Sequence, residues 1–307
     1  MARYLVGRVL GLIGVLLVIS FITFVLMKSI PGGPYDEMHM PLTGPQKENI
    51  LRSFGLDKPF LEQYVRLLWN FIRLDLGYSF SNRSETVNEF FARAWPVSAQ
   101  LGLLTMAVAF PIGIGLGFLA ALKSNTWVDY VASTVALTGF VVPGFVLAFL
   151  MILVFTVYLK WLPLSGWDTP AHWIMPVIAN ALAPMAIAAR YTRASLLENL
   201  HADYVRTAHA KGLHPRQVLF GHITRNAVIP IIAVLTPLFP ILITGSVFIE
   251  QVFIIPGIGR YFALSVMHRD YPMIMATVLL LTALVGFANL VADVLYTIAD
   301  PRVRLTR

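Results

Sequence analysis

Val9-Leu-Gly-Leu-Ile-Gly-Val-Leu-Leu-Val-Ile-Ser-Phe-Ile-Thr-Phe-Val-Leu-Met27 carries no charged side chain. A hydrocarbon layer of roughly 30 Å is crossed by about 20 residues of helix, the form in which a single segment satisfies its own backbone groups away from water. Arg3 and Arg8 precede the run and Lys28-Ser29-Ile30-Pro31 follows it. The run is too long for the core of a secretory signal and its flank lacks a small-residue cleavage site. An uncleaved first span, within residues 1–30, is therefore expected.

Five further apolar runs lie at approximately 97–122, 130–159, 172–190, 228–249 and 273–298. The run at 172–190 is the weakest, being short and carrying Pro176, Asn180 and Pro184. The composition is 57% hydrophobic and 13% charged, whereas ordinary soluble domains carry about 25% charged residues. The apolar residues fall in long runs, not in the periodic stripes of water-facing helices. The expected fold is all-α, with about six transmembrane helices and membrane lipid as its solvent. The chain has no cysteine, which excludes disulfides and thiolate metal sites. Its net charge of +7 lies mostly in segments flanking the runs, so it marks topology and implies no nucleic-acid partner.

Cytoplasmic loops retain Lys and Arg. Arg3 and Arg8 precede the first run, while Arg190, Arg193, Arg206, Lys211, Arg216 and Arg225 follow the fourth. Arg302, Arg304 and Arg307 follow the sixth. With six spans these segments share one side, so both termini, including the tail at 300–307, are expected in the cytoplasm. The connection from Pro31 to Pro96 then lies outside and is too long for a plain loop. Thr43-Gly-Pro-Gln46 has the capping-box pattern, and Phe60, Tyr64, Leu67, Leu68 and Phe71 recur at helical spacing opposite Glu62, Arg66, Asn70 and Arg73. Ser84 is placed to cap a third helix through Phe90 and Phe91. These features predict a small helical extracytoplasmic subdomain over 31–96, ahead of a core at 97–299.

Catalytic signatures are missing from the sequence. There is no HExxH pair, no GxSxG elbow and no cluster among the seven histidines at metal-ligand spacing. Gly117-Phe-Leu-Ala-Ala-Leu122-Lys123-Ser124 only approaches a phosphate loop, because Leu122 replaces its second glycine. No catalytic residue, metal or cofactor is assigned, and any ATP used would be hydrolysed by another chain. Asp293 is the clearest intramembrane charge. It fits either a proton or cation relay or an ion pair with Arg190 or Arg193, and the relay would make the protein a proton-coupled carrier. Gly113-x-x-x-Gly117 suits close packing of two helices. Gly139, Pro143 and Gly144 in the third run, and Pro230, Pro237, Pro240 and Gly245 in the fifth, fit either close packing or kinked helices lining a conduit.

Between the fourth and fifth runs, Asp203 is placed to cap a short helix, Tyr204-Val-Arg-Thr-Ala-His-Ala-Lys211. Gly212 suits its left-handed end, and Pro215 can open a second helix. Such a basic knob is either an ordinary inter-span loop or a docking element.

Arg206-Thr-Ala-His-Ala-Lys-Gly212, continuing to His222-Ile-Thr-Arg-Asn226-Ala-Val-Ile-Pro230, resembles the cytoplasmic coupling loop of permease subunits of binding-protein-dependent ABC importers. The match is to the B-type subunit of dipeptide and oligopeptide systems. Arg206 stands where the general pattern has Glu and Arg225 where many relatives have Pro, both as in the peptide branch. Leu56-Asp-Lys-Pro59, Leu74-Asp-Leu-Gly77-Tyr-Ser79, Gly245-Ser-Val-Phe-Ile-Glu250, Pro256-Gly-Ile-Gly259, Arg269-Asp-Tyr271 and Asp300-Pro-Arg302 resemble further family motifs in the same order. The resemblance implies a type I importer fold in a bacterial or archaeal cytoplasmic membrane. It implies a homologous second permease, two cytoplasmic ATPase subunits that bind ATP and Mg, and an extracytoplasmic solute-binding protein. It further implies that a loop at about 195–226 couples to an ATPase through Asp203, Tyr204, Val205, Arg206, Thr207, Ala208, His209, Lys211 and Gly212. Peptides are the implied cargo, with glutathione or a nickel complex as alternatives within the same machine.

Overall fold

The computed structural model describes residues 2–29, 52, 55–81 and 84–299, with side chains from residue 6 to residue 291. The Thr43–Gln46 pattern, the Asp300–Arg302 motif and the Asp293 side chain lie outside the described residues. Among the described residues, five helices are long and apolar enough to cross a membrane, or six when one bent pair counts as a single span. Internal contacts divide the chain into two compact units, one built from the segments up to Pro96 and from Ile258 onward, the other from Val97–Gly257.

In the first unit, α1 (Ala2–Ser29) packs against the last helix, and α2 (Phe60–Ile72) lies against both. Phe24, Met27, Phe80, Tyr271, Ile274, Met275 and Leu279 form the buried cluster, flanked by Tyr64, Leu67 and Phe71 of α2. The predicted periodicity of α2 is thus realised as a packing face. The helix through Phe90 and Phe91 is not a separate element. It is the first part of α3 (Val87–Leu122), a continuous run of 36 residues. Thr86, not Ser84, caps it. The Thr86 hydroxyl accepts from the Glu89 N–H at 3.2 Å, and the Glu89 carboxylate accepts from the Thr86 N–H at 3.0 Å, a reciprocal capping box.

In the second unit α3 is followed by α4 (Trp127–Val141) and α5 (Gly144–Tyr158), which meet at a 98° bend. Pro143 lacks an N–H, and Val142 before it is extended at φ −84°, ψ 117°, as a residue preceding proline tends to be. The third apolar run is therefore a broken span. α6 (Pro170–Leu200) is continuous through Pro176 and Pro184 for 31 residues. The short, doubtful span expected at 172–190 is one of the longest helices, because neighbouring helices in a packed membrane core accommodate the missing N–H groups.

α6 is the centre of this unit. A β-carbon on Gly139 would lie 2.6 Å from the Leu182 carbonyl oxygen, and one on Gly144 would lie 2.8 Å from that of Ala179. One on Gly113 would lie 2.5 Å from that of Met185. Glycines on α3, α4 and α5 thus let three backbones reach α6.

After α7 (Asp203–Ala210), α8 (Pro215–Leu235) includes a π-helical turn at Val218–Ile223 and passes through Pro230 without a break. The single span expected at 228–249 is divided. α8 ends before Thr236-Pro237, α9 (Leu238–Ile243) ends at Thr244-Gly245, and α10 (Val247–Val252) follows. α11 (Ile258–Met267) and α12 (Tyr271–Ala299) return to the first unit.

Candidate functional site

α7 is a short amphipathic helix set on an apolar bed. Val205 and Ala208 are buried with Ala121 of α3, Leu196 of α6 and Val218, Ile223 and Ala227 of α8, while Phe118, Leu200, Tyr204 and Leu219 close the edges. The Phe118 and Phe220 rings stack at 6.1 Å. Asp203, Arg206, Thr207, His209, Lys211 and Gly212 face outward. The nine residues singled out from sequence therefore split into an anchoring set, Tyr204, Val205 and Ala208, and an exposed set.

The ends of α7 are fixed by the backbone. Gly212 has φ +78°, its N–H donates to the His209 carbonyl at 2.9 Å, and the Leu213 N–H donates to the Ala208 carbonyl at 3.3 Å. This is a Schellman termination, with glycine at the left-handed position. His214 then caps α8. Its ring nitrogen accepts from the Arg216 N–H at 3.3 Å, and Pro215 occupies the first turn. Asp203 does not itself cap α7. Ala202, extended at φ −72°, ψ 150°, is the cap residue and Asp203 is the first helical residue. Asp203 still acts on the helix through its charge at the N-terminal dipole. Its contact with Arg206 is long, at 3.8 Å, and exposed, a geometry worth little energetically. Tyr204 ties α7 back to α6 through a 2.8 Å hydrogen bond from its hydroxyl to Asn199 Oδ1.

Arg193 lies inside α6, and its charge partner is Asp129 on α4. Nε and Nη2 donate to the two carboxylate oxygens at 2.7 Å each. Asp129 also accepts from the Asn125 N–H at 3.0 Å and the Ser133 hydroxyl at 3.2 Å, and is buried. A bidentate pair occupies the guanidinium fork, so among the described residues the partner of Arg193 is Asp129, and the pairing expected between Asp293 and Arg190 or Arg193 lies outside the described side chains. Sequence reading missed Asp129 because the apolar run appeared to begin just after it. Its one trace was a carboxylate four residues before Ser133.

Arg190 is exposed and lines a cavity of about 790 Å³ with Ala136, Phe140, Ala186, Val234 and Leu238. Of the four prolines expected as kinks, Pro143 and Pro237 sit at helix breaks, whereas Pro230 and Pro240 lie within helices. Glu250, the last residue of the family-like Gly245–Glu250 motif and the one that follows the fifth apolar run, is wholly buried. It accepts from the Ser98 hydroxyl at 2.8 Å and the Ser246 N–H at 3.2 Å. A β-carbon on Gly257 would lie 2.7 Å from its carboxyl carbon, so this glycine makes room for the carboxylate. Among the described residues no three His, Asp or Glu side chains are grouped to hold a metal ion.

These features define a polytopic helical membrane protein with a capped, polar-faced helix at one end of its core. The family described as "Binding-protein-dependent transport system inner membrane component" matches residues 113–305, and its N-terminal companion family matches residues 1–102. The chain belongs to this family. It is 42% identical over 305 residues to the dipeptide transport system permease protein DppB of Bacillus subtilis, covering 99% of each chain. It is 38% identical to the oligopeptide transport system permease protein OppB of Salmonella typhimurium, covering 99% of this chain and 100% of that one. Two solved structures share the fold at 18% identity. The MetNI methionine ABC transporter gives a TM-score of 0.58 over 69% of this chain and 96% of that chain. An amino acid ABC transporter gives 0.52 over 67% and 92%. The architecture is that of a type I ABC importer permease.

Proposed function

We propose that this permease is one half of the membrane channel of an ATP-driven importer of di- and oligopeptides. In this reading its termini and α7 lie in the cytoplasm. It pairs with a homologous second permease and receives cargo from an extracytoplasmic binding protein. Two ATPase subunits bind ATP and Mg and drive it. The observation that carries the reading is α7, a rigidly terminated helix whose apolar side is locked to the ends of α3, α6 and α8 while Arg206, Thr207, His209 and Lys211 are exposed where a partner could meet them. A push on α7 would be delivered to three helix ends at once. The names of the full-length relatives support peptides as cargo.

Pro143 and Pro237 mark the breaks in α4–α5 and α8–α9, and Phe140 and Leu238, close in the chain to each, line the same cavity with Ala136 and Val234. We assign this region, with Pro230 and Pro240 nearby in the chain, to the solute route and its gate. In the test, Gly212→Val is placed in the reconstituted transporter. A left-handed backbone costs an L-residue about 1–2 kcal/mol, and a β-branched side chain makes it worse, so α7 would lose its end. The expected result is normal membrane insertion with loss of binding-protein-stimulated ATP hydrolysis and of labelled dipeptide uptake. Gly212→Asn, which tolerates the left-handed region, should retain both. Full uptake by Gly212→Val would remove α7 from the coupling role.

A further inference from the structure

We infer that α2 is immersed in lipid, with the side chains of Leu61, Val65, Trp69 and Ile72 contacting acyl chains in the leaflet where α1 ends. Helical residues follow one another at about 100°, and this divides α2 into three faces. Phe60, Tyr64, Leu67 and Phe71 form the face turned to α1 and α12. Glu62, Gln63, Arg66, Asn70 and Arg73 form a polar face. Leu61, Val65, Trp69 and Ile72 fill the arc between, and they remain 66%, 62%, 52% and 70% exposed. The apolar arc is thus about twice as wide as the packing among the described residues covers, a pattern suited to an interfacial helix and not to one bathed in water.

The depth of α2 is set by its contacts on α1. The Tyr64 hydroxyl lies 2.9 Å from Ser20 Oγ and donates to the Leu17 carbonyl at 3.1 Å. Its ring meets Phe21 and Phe24 at centroid distances of 5.4 and 5.5 Å. Leu17 lies ten residues before Met27, about 15 Å along the helix at 1.5 Å per residue, or half of the roughly 30 Å hydrocarbon layer. On α12 the same face reaches Leu279, two turns in from Tyr271. α2 is therefore seated against the buried half of a spanning helix. Its exposed arc continues the lipid-facing surface of α1, where Val18, Ile22 and Leu26 are likewise more than half exposed. The Arg73 guanidinium lies 4.6 Å from the Trp69 ring centroid, so the indole has an apolar body and a cationic neighbour, the arrangement favoured near a headgroup boundary.

The chain has no native cysteine, so single nitroxide labels can be placed at Leu61→Cys, Val65→Cys, Glu62→Cys and Ile22→Cys in the complete transporter. The complex is reconstituted in nanodiscs of phosphatidylethanolamine and phosphatidylglycerol. Labels at residues 61 and 65 should show the oxygen-over-nickel accessibility ratio of residue 22, and residue 62 should shift toward nickel. Preferential nickel access at 61 and 65 would mean water covers the arc. Low access to both probes would mean another protein segment or subunit covers it. Either result overturns the inference. A second measurement needs no label. Lipids brominated on their acyl chains should quench emission from the native protein more than from Trp69→Phe, and equal quenching would also refute immersion.

Discussion

A β-carbon added at Gly117 would strike the Ala189 carbonyl and come within 2.7 Å of the Thr192 side chain, whereas one added at Gly212 would meet nothing within 4 Å. The first glycine is required by what lies next to it. The second is required by its own backbone, at φ +78°. The seam between α3 and α6 and the turn after α7 therefore fail differently when disturbed. Damage to the seam propagates through a helix pair packed at backbone contact, while damage to the turn remains at the surface and leaves the packed core in place.

Gly117→Val is the most damaging way to probe this contrast. Overpacking a close-packed site costs typically 1–3 kcal/mol and more where the neighbour cannot move, and a carbonyl within α6 has no rotamer to change. The variant should assemble poorly and melt well below the parent in detergent, followed by loss of the monodisperse peak in size-exclusion chromatography. Gly212→Val should melt like the parent while transport fails. Equal melting of both variants with the parent would show that the seam is more yielding than its geometry implies.

Asp129→Asn tests the seam by charge instead of volume. The pair joins the first turn of α4 to α6, ten residues before α7 begins. Breaking a buried ion pair costs roughly 3–5 kcal/mol. Arg193 is about one-third exposed, and water can rehydrate it, so about 1–3 kcal/mol is expected here. The thermal midpoint should fall by less than for Gly117→Val, and Asp129→Asn with Arg193→Gln should recover part of the loss. A double variant less stable than the single one would show that Arg193 holds the fold by more than its pairing.

The difference in legibility between these regions has a physical cause. The turn after α7 is local, and Gly212 followed by Pro215 is a complete instruction within four residues. The break at Pro143 is local as well, because proline dictates both its own φ and the conformation of Val142. The Asp129–Arg193 pair joins residues 64 positions apart, and no periodicity within either helix announces it. Glu250 was hidden for the same reason, since its environment comes from Ser98, 152 positions away. The expected boundary at Pro96 split the first turns of α3 from its span, and the end of α6 was misplaced because polar residues at a span terminus look like loop when hydropathy alone sets the boundary. Both helices run on past the apolar core.

Gly115 supplies the mildest test, because it sits on α3 between Gly113 and Gly117 yet a β-carbon there would meet nothing within 4 Å. Composition alone would group the three glycines as one packing motif, but the geometry separates the middle one from the pair that faces α6. Replacing a helix-interior glycine by alanine where space is free stabilises by about 0.5–1 kcal/mol. Gly115→Ala should therefore melt slightly above the parent and transport normally, while Gly113→Ala, whose β-carbon would lie 2.7 Å from that of Ala188, should melt below it. If Gly115→Ala destabilised the assembled transporter but not the isolated chain, the open side of α3 at this level would be occupied by another subunit. The comparison between seam and turn would then extend to a third kind of glycine, one required by a neighbour outside the chain.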